Sequence, residues 1–189
     1  MNMRVALFGG SFNPPHVAHQ MVGLYVLETA PVDQLWLIPC YQHAFGKVLA
    51  PFEDRLHMCQ LATAALGPRA AVSDIEREIA QPSRTLVTAR ALMARHPEHV
   101  FSLVLGADLV GEIDSWYGAA ELRRTLPLLV VGRSGAPATN QPDGAAMPAV
   151  SSTEIRQALA GGKSVQGLVP RTVLDYIYQR GLFDAREPE

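Results

Sequence analysis

Gly9-Gly10-Ser11-Phe12-Asn13-Pro14-Pro15-His16-Val17-Ala18-His19 joins an apolar run to an apolar-periodic segment. Ahead of it, Val5-Ala6-Leu7-Phe8 has the unbroken apolar character of a strand buried on both faces, and from His16 onward Met21, Leu24, Tyr25 and Glu28 recur at helical spacing. The chain reads strand, loop, helix. A helix N-terminus presents unpaired backbone N–H groups and a partial positive charge to whatever the loop holds, and adjacent glycines let that ligand approach the backbone. A phosphate suits such a place. His16 and His19 are three residues apart, so on one helix face both imidazoles can donate to the same anion, while Pro14 and Pro15 stiffen the approach. Two histidines capping a surface helix would be the plain alternative, and it leaves the rest of the string unexplained. The Gly-Lys-Ser/Thr ending of a P-loop is absent, as is the third glycine of the dinucleotide-binding fingerprint.

Bulk properties narrow the partners. A chain of 189 residues fits one domain, 1–189, able to bury roughly 70% of the surface its unfolded form exposes. Two cysteines, Cys40 and Cys59, supply no disulfide framework, and a formal charge of −2 argues against a basic surface for nucleic acid. The N-terminus lacks the pattern of a signal peptide, and no run approaches the ~18 apolar residues of a membrane span. The expectation is a cytoplasmic protein acting on small solutes, with no nucleic-acid or membrane partner. Nothing in the sequence speaks to oligomeric state.

Outward from the opening unit, Leu35-Trp36-Leu37-Ile38 before Pro39 predicts a second strand, parallel to the first through a right-handed crossover. A loop from Cys40 to Pro51 carries Gln42, His43, Gly46 and Lys47. Helical spacing returns over Phe52 to Leu66 at Leu56, Cys59, Gln60 and Thr63, with Arg55 in the first turns. Cys40, His43, His57 and Cys59 show neither Cys-x-x-Cys nor His-Glu-x-x-His spacing, which disfavours zinc, and Cys59 reads as a small core residue. Ala70-Ala71-Val72 is a weak strand, and Asp74 to Glu78 reads either as an exposed edge or as a solvated loop. Ser83 is the expected N-cap of a helix carrying Thr85, Leu86, Ala89, Leu92 and Met93 and ending near His96, before Pro97.

Val100 to Leu105 is the cleanest strand; it ends at Gly106-Ala107-Asp108, with Trp116-Tyr117 a short helix later. In doubly wound sheets ligands bind beyond such carboxyl ends. Leu128 to Val131 predicts a further buried strand, and Gly132 to Met147 a long loop. In Val150-Ser151-Ser152-Thr153-Glu154-Ile155-Arg156, Ser151 or Ser152 would cap a helix whose N-terminus meets an anion, with Arg156 reaching it through a planar fork. A last helix begins at Pro170, with Val173 and Ile177 on one face. The fold class expected is α/β, a Rossmann-like doubly wound parallel sheet with a helical C-terminal segment.

The opening string resembles the nucleotidylyltransferase signature, Gly-Thr/Ser-Phe-Asp/Asn-Pro followed by His-x-Gly-His, with Ala18 in place of the last glycine. Residues 150–156 resemble that superfamily's Ile-Ser-x-Thr-x-Ile-Arg. Within it the chain is most similar to nicotinate-nucleotide adenylyltransferases, whose Pro-Ser-Tyr-Thr-x-Asp-Thr stands here as Pro82-Ser83-Arg84-Thr85-Leu86-Val87-Thr88, so Arg84 and Val87 depart from the pattern. The resemblance runs from Val5 to about Leu182.

That resemblance implies adenylyl transfer from ATP, accompanied by Mg²⁺ bridging the leaving oxygens, to nicotinate mononucleotide. The products are deamido-NAD, on the route to NAD, and pyrophosphate. It places ATP on Gly9, Gly10, Ser11 and Phe12, on His16 and His19, on Gly106 and Asp108, and on Ser151, Ser152, Thr153 and Arg156. The acceptor falls to Asn13, Lys47 and Arg55, to Ser83, Arg84 and Thr85, and to Trp116 and Tyr117, the indole stacking on the pyridine ring. His16, His19, Lys47 and Arg156 would act on the transition state, and no protein residue is assigned to metal. For Lys47 and Arg55 a solvated charge, and for Trp116 a core position, are the competing readings. Two rival functions are a superfamily enzyme using nicotinamide mononucleotide or phosphopantetheine, and a non-catalytic nucleotide sensor.

Overall fold

The structure, a computed structural model, describes residues 2–132 and 146–185. Five parallel strands, β1 (Arg4–Gly10), β2 (Gln34–Pro39), β3 (Ala70–Val72), β4 (Val100–Gly106) and β5 (Leu128–Val131), form one sheet in the order β3-β2-β1-β4-β5. Pairing sets Gly10 opposite Pro39, Leu7 opposite both Trp36 and Leu103, and Gly106 opposite Val131. The strand order reverses direction at β1, so a crevice opens between the carboxyl ends of β1 and β4.

The described residues form six α-helices: α1 (Val17–Thr29), α2 (Phe52–Ala64), α3 (Thr85–Arg95), α4 (Ala119–Thr125), α5 (Ser152–Ala160) and α6 (Arg171–Arg180). Alternate strand residues separate into two cores, as the two-residue period of a strand requires. Val5, Leu7, Phe101, Leu103 and Leu105 pack on one face with Leu86, Ala89 and Leu92 of α3 and Leu122 of α4. Ala6, Leu35, Leu37 and Val104 pack on the other with Val26 and Leu27 of α1 and Cys59 of α2. This is the doubly wound α/β arrangement expected.

A third core joins α2, α5 and α6 through Met58, Ala62, Ile155, Leu159, Val173 and Ile177. Full burial of Val173 and Ile177 contributes roughly 1.5–3 kcal/mol each. Asp54 of α2, itself buried, accepts hydrogen bonds from Tyr176 Oη at 2.7 Å and Arg180 Nε at 3.2 Å, fixing α6 to α2. Burial, helped by that carboxylate, pushes the Tyr176 phenol up from its ordinary value.

Several local expectations change. The α1 positions Met21 and Leu24 are exposed, and the buried face is Ala18, Gly23, Val26 and Leu27. A Cβ on Gly23 would lie 2.8 Å from Leu66 Cδ1 and 3.0 Å from Leu35 Cδ2, so the helix approaches the sheet through its smallest residues. In α2, Gln60 is exposed and Met58 and Ala62 are buried in its place. Ser83 does not cap α3: Arg84 holds that position, without a side-chain cap bond. The charged run is neither edge nor solvated loop, because Ile75–Arg77 forms a 3-10 turn with Ile75 and Glu76 buried. Two 3-10 turns, Ala107–Leu109 and Ile113–Ser115, stand between β4 and Trp116. Of the loop read over 132–147, residues 133–145 lie outside the described residues.

Candidate active site

β1 carries Gly9 and Gly10 to the crevice, and the chain then turns through Phe12 in the left-handed region at φ 45°. Non-glycine residues hold such a conformation only where surroundings enforce it. Here Phe12 is 2% exposed, and its ring meets Phe8 and His19 edge-on at centroid distances of 5.6 and 5.0 Å. A Cβ on Gly10 would come within 3.1–3.3 Å of that ring, which accounts for the glycine.

His16 is the N-cap of α1 and His19 its third residue, and their rings stack with centroids 3.7 Å apart. The His16 backbone N–H donates to His19 Nδ1 at 3.1 Å. Neutral His19 therefore carries its proton on Nε2, a tautomer inferred from that bond. His16, His19, Gly9, Gly10, Gly106 and Asp108 together line a cleft of about 250 Å³ that Met147, Pro148 and Val150 help to close.

The stretch 150–156 docks directly on the stretch 9–19. Ser151 caps α5, its Oγ accepting from Thr153 N–H at 3.2 Å. Ser152 Oγ donates to the Pro14 carbonyl at 2.9 Å, and Arg156 donates through Nη1 to the Asn13 carbonyl at 2.8 Å and through Nη2 to Thr153 Oγ1 at 3.3 Å. Bonds between residues some 140 positions apart thus set the N-terminus of α5 against the segment that leads into α1; Val150 lines the cleft, whereas Ser151, Ser152, Thr153 and Arg156 are not among its lining residues.

Arg55 is neither a solvated charge nor an open donor. At 1% exposure it donates to the carbonyls of Ala50 (2.9 Å), Ser11 (3.0 Å), Cys40 (2.7 Å) and Tyr41 (3.3 Å). Burial lowers its pKa from the guanidinium value. Asn13, also buried, accepts from Ala50 N–H at 3.0 Å through Oδ1. Both side chains brace the loop 40–51 against the first stretch. Burial pushes the Cys40 thiol up, against the pull of Arg55, and lowers His43, assisted by Lys47 and Arg55.

The start of that loop is held by residues whose role no local pattern suggests. Glu76 accepts from Tyr41 N–H at 3.0 Å and from Thr88 Oγ1 at 2.8 Å, and Ser83 Oγ accepts from Tyr41 and Gln42 N–H at 3.1 and 3.2 Å. Glu76 was missed because a charged run gives no sign of a buried carboxylate with remote partners. Lys47 is exposed on the loop beyond; Trp116 is half-buried against the core cluster that includes α3. Arg84 is exposed, and its guanidinium lies 5.1 Å from the centroid of the Tyr117 ring, while Thr85 opens α3. Lys47, Arg84, Thr85, Trp116 and Tyr117 are not among the residues lining the cleft.

The profile of the family described as "Cytidylyltransferase-like" matches residues 7–158, a span that contains both residues 9–19 and residues 150–156. The chain belongs to the cytidylyltransferase-like family. A relative from Anaeromyxobacter sp. (strain K), named "Probable nicotinate-nucleotide adenylyltransferase", is 48% identical over 183 residues, 95% of this chain and 96% of its own. A Myxococcus xanthus protein of the same name is 40% identical over 181 residues, covering 96% and 95%. In fold, the chain is similar to the Plasmodium falciparum nicotinic acid mononucleotide adenylyltransferase complexed with NaAD, at TM-score 0.84 and 20% identity over 98% of this chain and 99% of the other.

Family membership makes the departure at Ala18 a packing question. Its methyl group is 7% exposed and belongs to the α2-α5-α6 core while also lining the cleft, so it occupies space between helices. Val87 sits half-buried in the first turn of α3.

Proposed function

We propose that the protein transfers the adenylyl group of ATP to nicotinate mononucleotide, releasing pyrophosphate and deamido-NAD, a step of NAD biosynthesis. The observation that carries this reading is the docking of α5 on the first stretch through Ser152 to Pro14 O and Arg156 to Asn13 O. It gathers donors for a run of phosphates at a crevice where a sheet of this type binds ligands. The names of the relatives from Anaeromyxobacter and Myxococcus support the choice of acceptor.

The chemistry asks for alignment more than for proton transfer. A phosphate oxygen of the mononucleotide, already ionised, attacks the α-phosphorus in line while the bond to the bridging β-phosphate oxygen breaks and pyrophosphate leaves. No general base is needed. His16 and His19 would meet the phosphates near the α position, His19 through Nε2–H, and Arg156 with the 151–153 turn would hold the β- and γ-phosphates. Helix termini add at most ~2 kcal/mol, whereas each donor on developing charge adds ~3–4 kcal/mol, so the side chains dominate. Mg²⁺ would accompany the nucleotide and neutralise charge on its phosphates; Asp108, the one carboxylate among the described residues lining the cleft, would be the protein group nearest to it, with phosphate oxygens and water as the main ligands.

On the acceptor side Lys47, Arg84, Thr85, Trp116 and Tyr117 would close over the mononucleotide, with Ser83, Asn13 and Arg55 holding the loop that carries Lys47. A pyrophosphate-release assay with ATP and Mg²⁺ against nicotinate mononucleotide, nicotinamide mononucleotide and phosphopantetheine tests the proposal. Turnover of the nicotinate form is expected; turnover of phosphopantetheine alone, or of none, overturns it.

A further inference from the structure

At the other end of the sheet, where β4 begins, the chain turns through His96-Pro97-Glu98-His99. The turn is closed by His99 N–H donating to the His96 carbonyl at 3.0 Å, with Pro97 at the position where its fixed φ favours such a turn. Its two ends are thus both histidines. Their rings lie almost parallel, 8° apart, with centroids at 5.3 Å. One ligand atom from each of His96, Glu98 and His99 lies within 4.8 Å of the others, and among the described residues no other trio of His, Cys, Asp or Glu does this.

The His99 ring supplies an independent observation. Its side chain is 6% exposed, and its buried Nδ1 has no hydrogen-bond partner; Glu98 Oε1 approaches to 3.4 Å without hydrogen-bond geometry. Buried polar atoms are ordinarily satisfied, and an orphan asks for an explanation such as an ion. Trp36 packs edge-on against both rings, at 5.1 Å from His96 and 6.1 Å from His99, and Phe101 flanks His99 at 6.2 Å. An aromatic wall of this kind holds ligand rings in place and limits water on one side.

We propose that His96, Glu98 and His99 bind a divalent transition-metal ion, zinc foremost, in a structural site remote from the adenylyl-transfer cleft. Two neutral imidazoles and a carboxylate form a donor set that suits zinc better than magnesium or calcium, which prefer all-oxygen shells. Water would complete a tetrahedron on the exposed side, where Glu98 lies. Small ring rotations would bring ligand atoms within 4.8 Å to the ~3.4 Å spacing of a tetrahedral site with Zn–N of ~2.0–2.1 Å. The ion would clip the end of α3 to the start of β4.

Equilibrium dialysis and calorimetry of the full chain, free of any polyhistidine tag, against Zn²⁺ alone provide the test, with Co²⁺ as a visible-absorbing substitute. The parent should bind one equivalent, and Zn²⁺ at 100-fold excess over its Kd should raise Tm by roughly 5–10 °C. His96→Ala should bind at least ~100-fold more weakly and show no such rise, while Glu98→Gln, on an exposed side chain, should lose ~10-fold or more. Adenylyl transfer by His96→Ala without added zinc should match the parent, separating this site from the cleft. Equal affinity in parent and His96→Ala, no binding by the parent, or loss of the bound equivalent only on replacing His16 and His19 would overturn the assignment.

Discussion

Replacing Arg55 by methionine keeps the aliphatic stem and removes every donor, leaving the carbonyls of Ser11, Ala50, Cys40 and Tyr41 without their guanidinium partner. Hydrogen bonds to a charged group contribute ~1.5–3 kcal/mol each. Water can reach some of the freed oxygens, so taking only two bonds as lost gives ~3–6 kcal/mol. That is a large share of the ~5–15 kcal/mol a domain has available, and at the lower end of that range the whole of it. At ~2–4 °C per kcal/mol for a chain of this size, Tm should fall by roughly 6–24 °C. Arg55→Lys, which retains charge but not the fork, should recover a minor part. Thermal and urea unfolding of both variants, with KM for the mononucleotide measured well below the melting range, decide between a brace and a substrate contact. A methionine variant melting within about 2 °C of the parent, with a raised KM as its main defect, would refute the bracing role.

Further outcomes concern the cleft and the surface. His19→Ala should lower kcat and kcat/KM together by ~10²-fold or more, since the donor acts on developing charge; unchanged kcat with a raised KM for ATP would mark a ground-state contact. Arg156→Lys should weaken pyrophosphate binding while acceptor binding stays near normal, and equal pyrophosphate affinity in both proteins would remove Arg156 from that role. Nicotinate mononucleotide should be used at least ~tenfold better than the amide, and Arg84→Ala should narrow the gap, as a charge-assisted bond exceeds a neutral one by ~1 kcal/mol or more; equal discrimination in the variant would show that Arg84 serves only to stack on Tyr117. Asp33 is held down at about 2 by hydrogen bonds from the Arg4 side chain and backbone N–H. Its folded value lies below the unfolded one, so its contribution is full above pH ~4 and is lost as pH falls toward 2; Asp33→Asn should flatten the acid limb of a stability-versus-pH curve there, and an unchanged limb would count against the pair.

Strands were the most readable part of the chain. Val5 to Phe8, Leu35 to Ile38, Phe101 to Leu105 and Leu128 to Val131 lie in a parallel sheet packed by helices on both sides, which favours continuous apolar runs. Helix faces were less so. α1 is apolar nearly all round, and its inner face is made of Ala18, Gly23, Val26 and Leu27, with close approach at Gly23, so the outward Met21 and Leu24 carried a misleading stripe. The helix starts at His16 and Ser151 were legible because their cap residues are local to the first turn. The bracing roles of Glu76, Ser83 and Arg55 were not, since they rest on backbone partners as far as 35 to 44 residues away, Tyr41 N–H for Glu76 and Ser83 and the Ser11 carbonyl for Arg55, that no local spacing encodes.

Besides the Ala50 N–H bond to Asn13 Oδ1, four bonds that brace the first stretch end on main-chain oxygen. Gly10 O receives Cys40 N–H, Ser11 O receives Arg55, Asn13 O receives Arg156, and Pro14 O receives Ser152. A loop meant for anions is ordinarily at risk from its own peptide lone pairs, which repel a phosphate as strongly as its N–H groups attract one. Here α2, the 40–51 loop and α5 draw those lone pairs toward themselves, so the polarity of the crevice is set by elements far along the chain. Substitutions at the distant donors should therefore disturb the sign of the local field more than exchanges among the loop's own side chains.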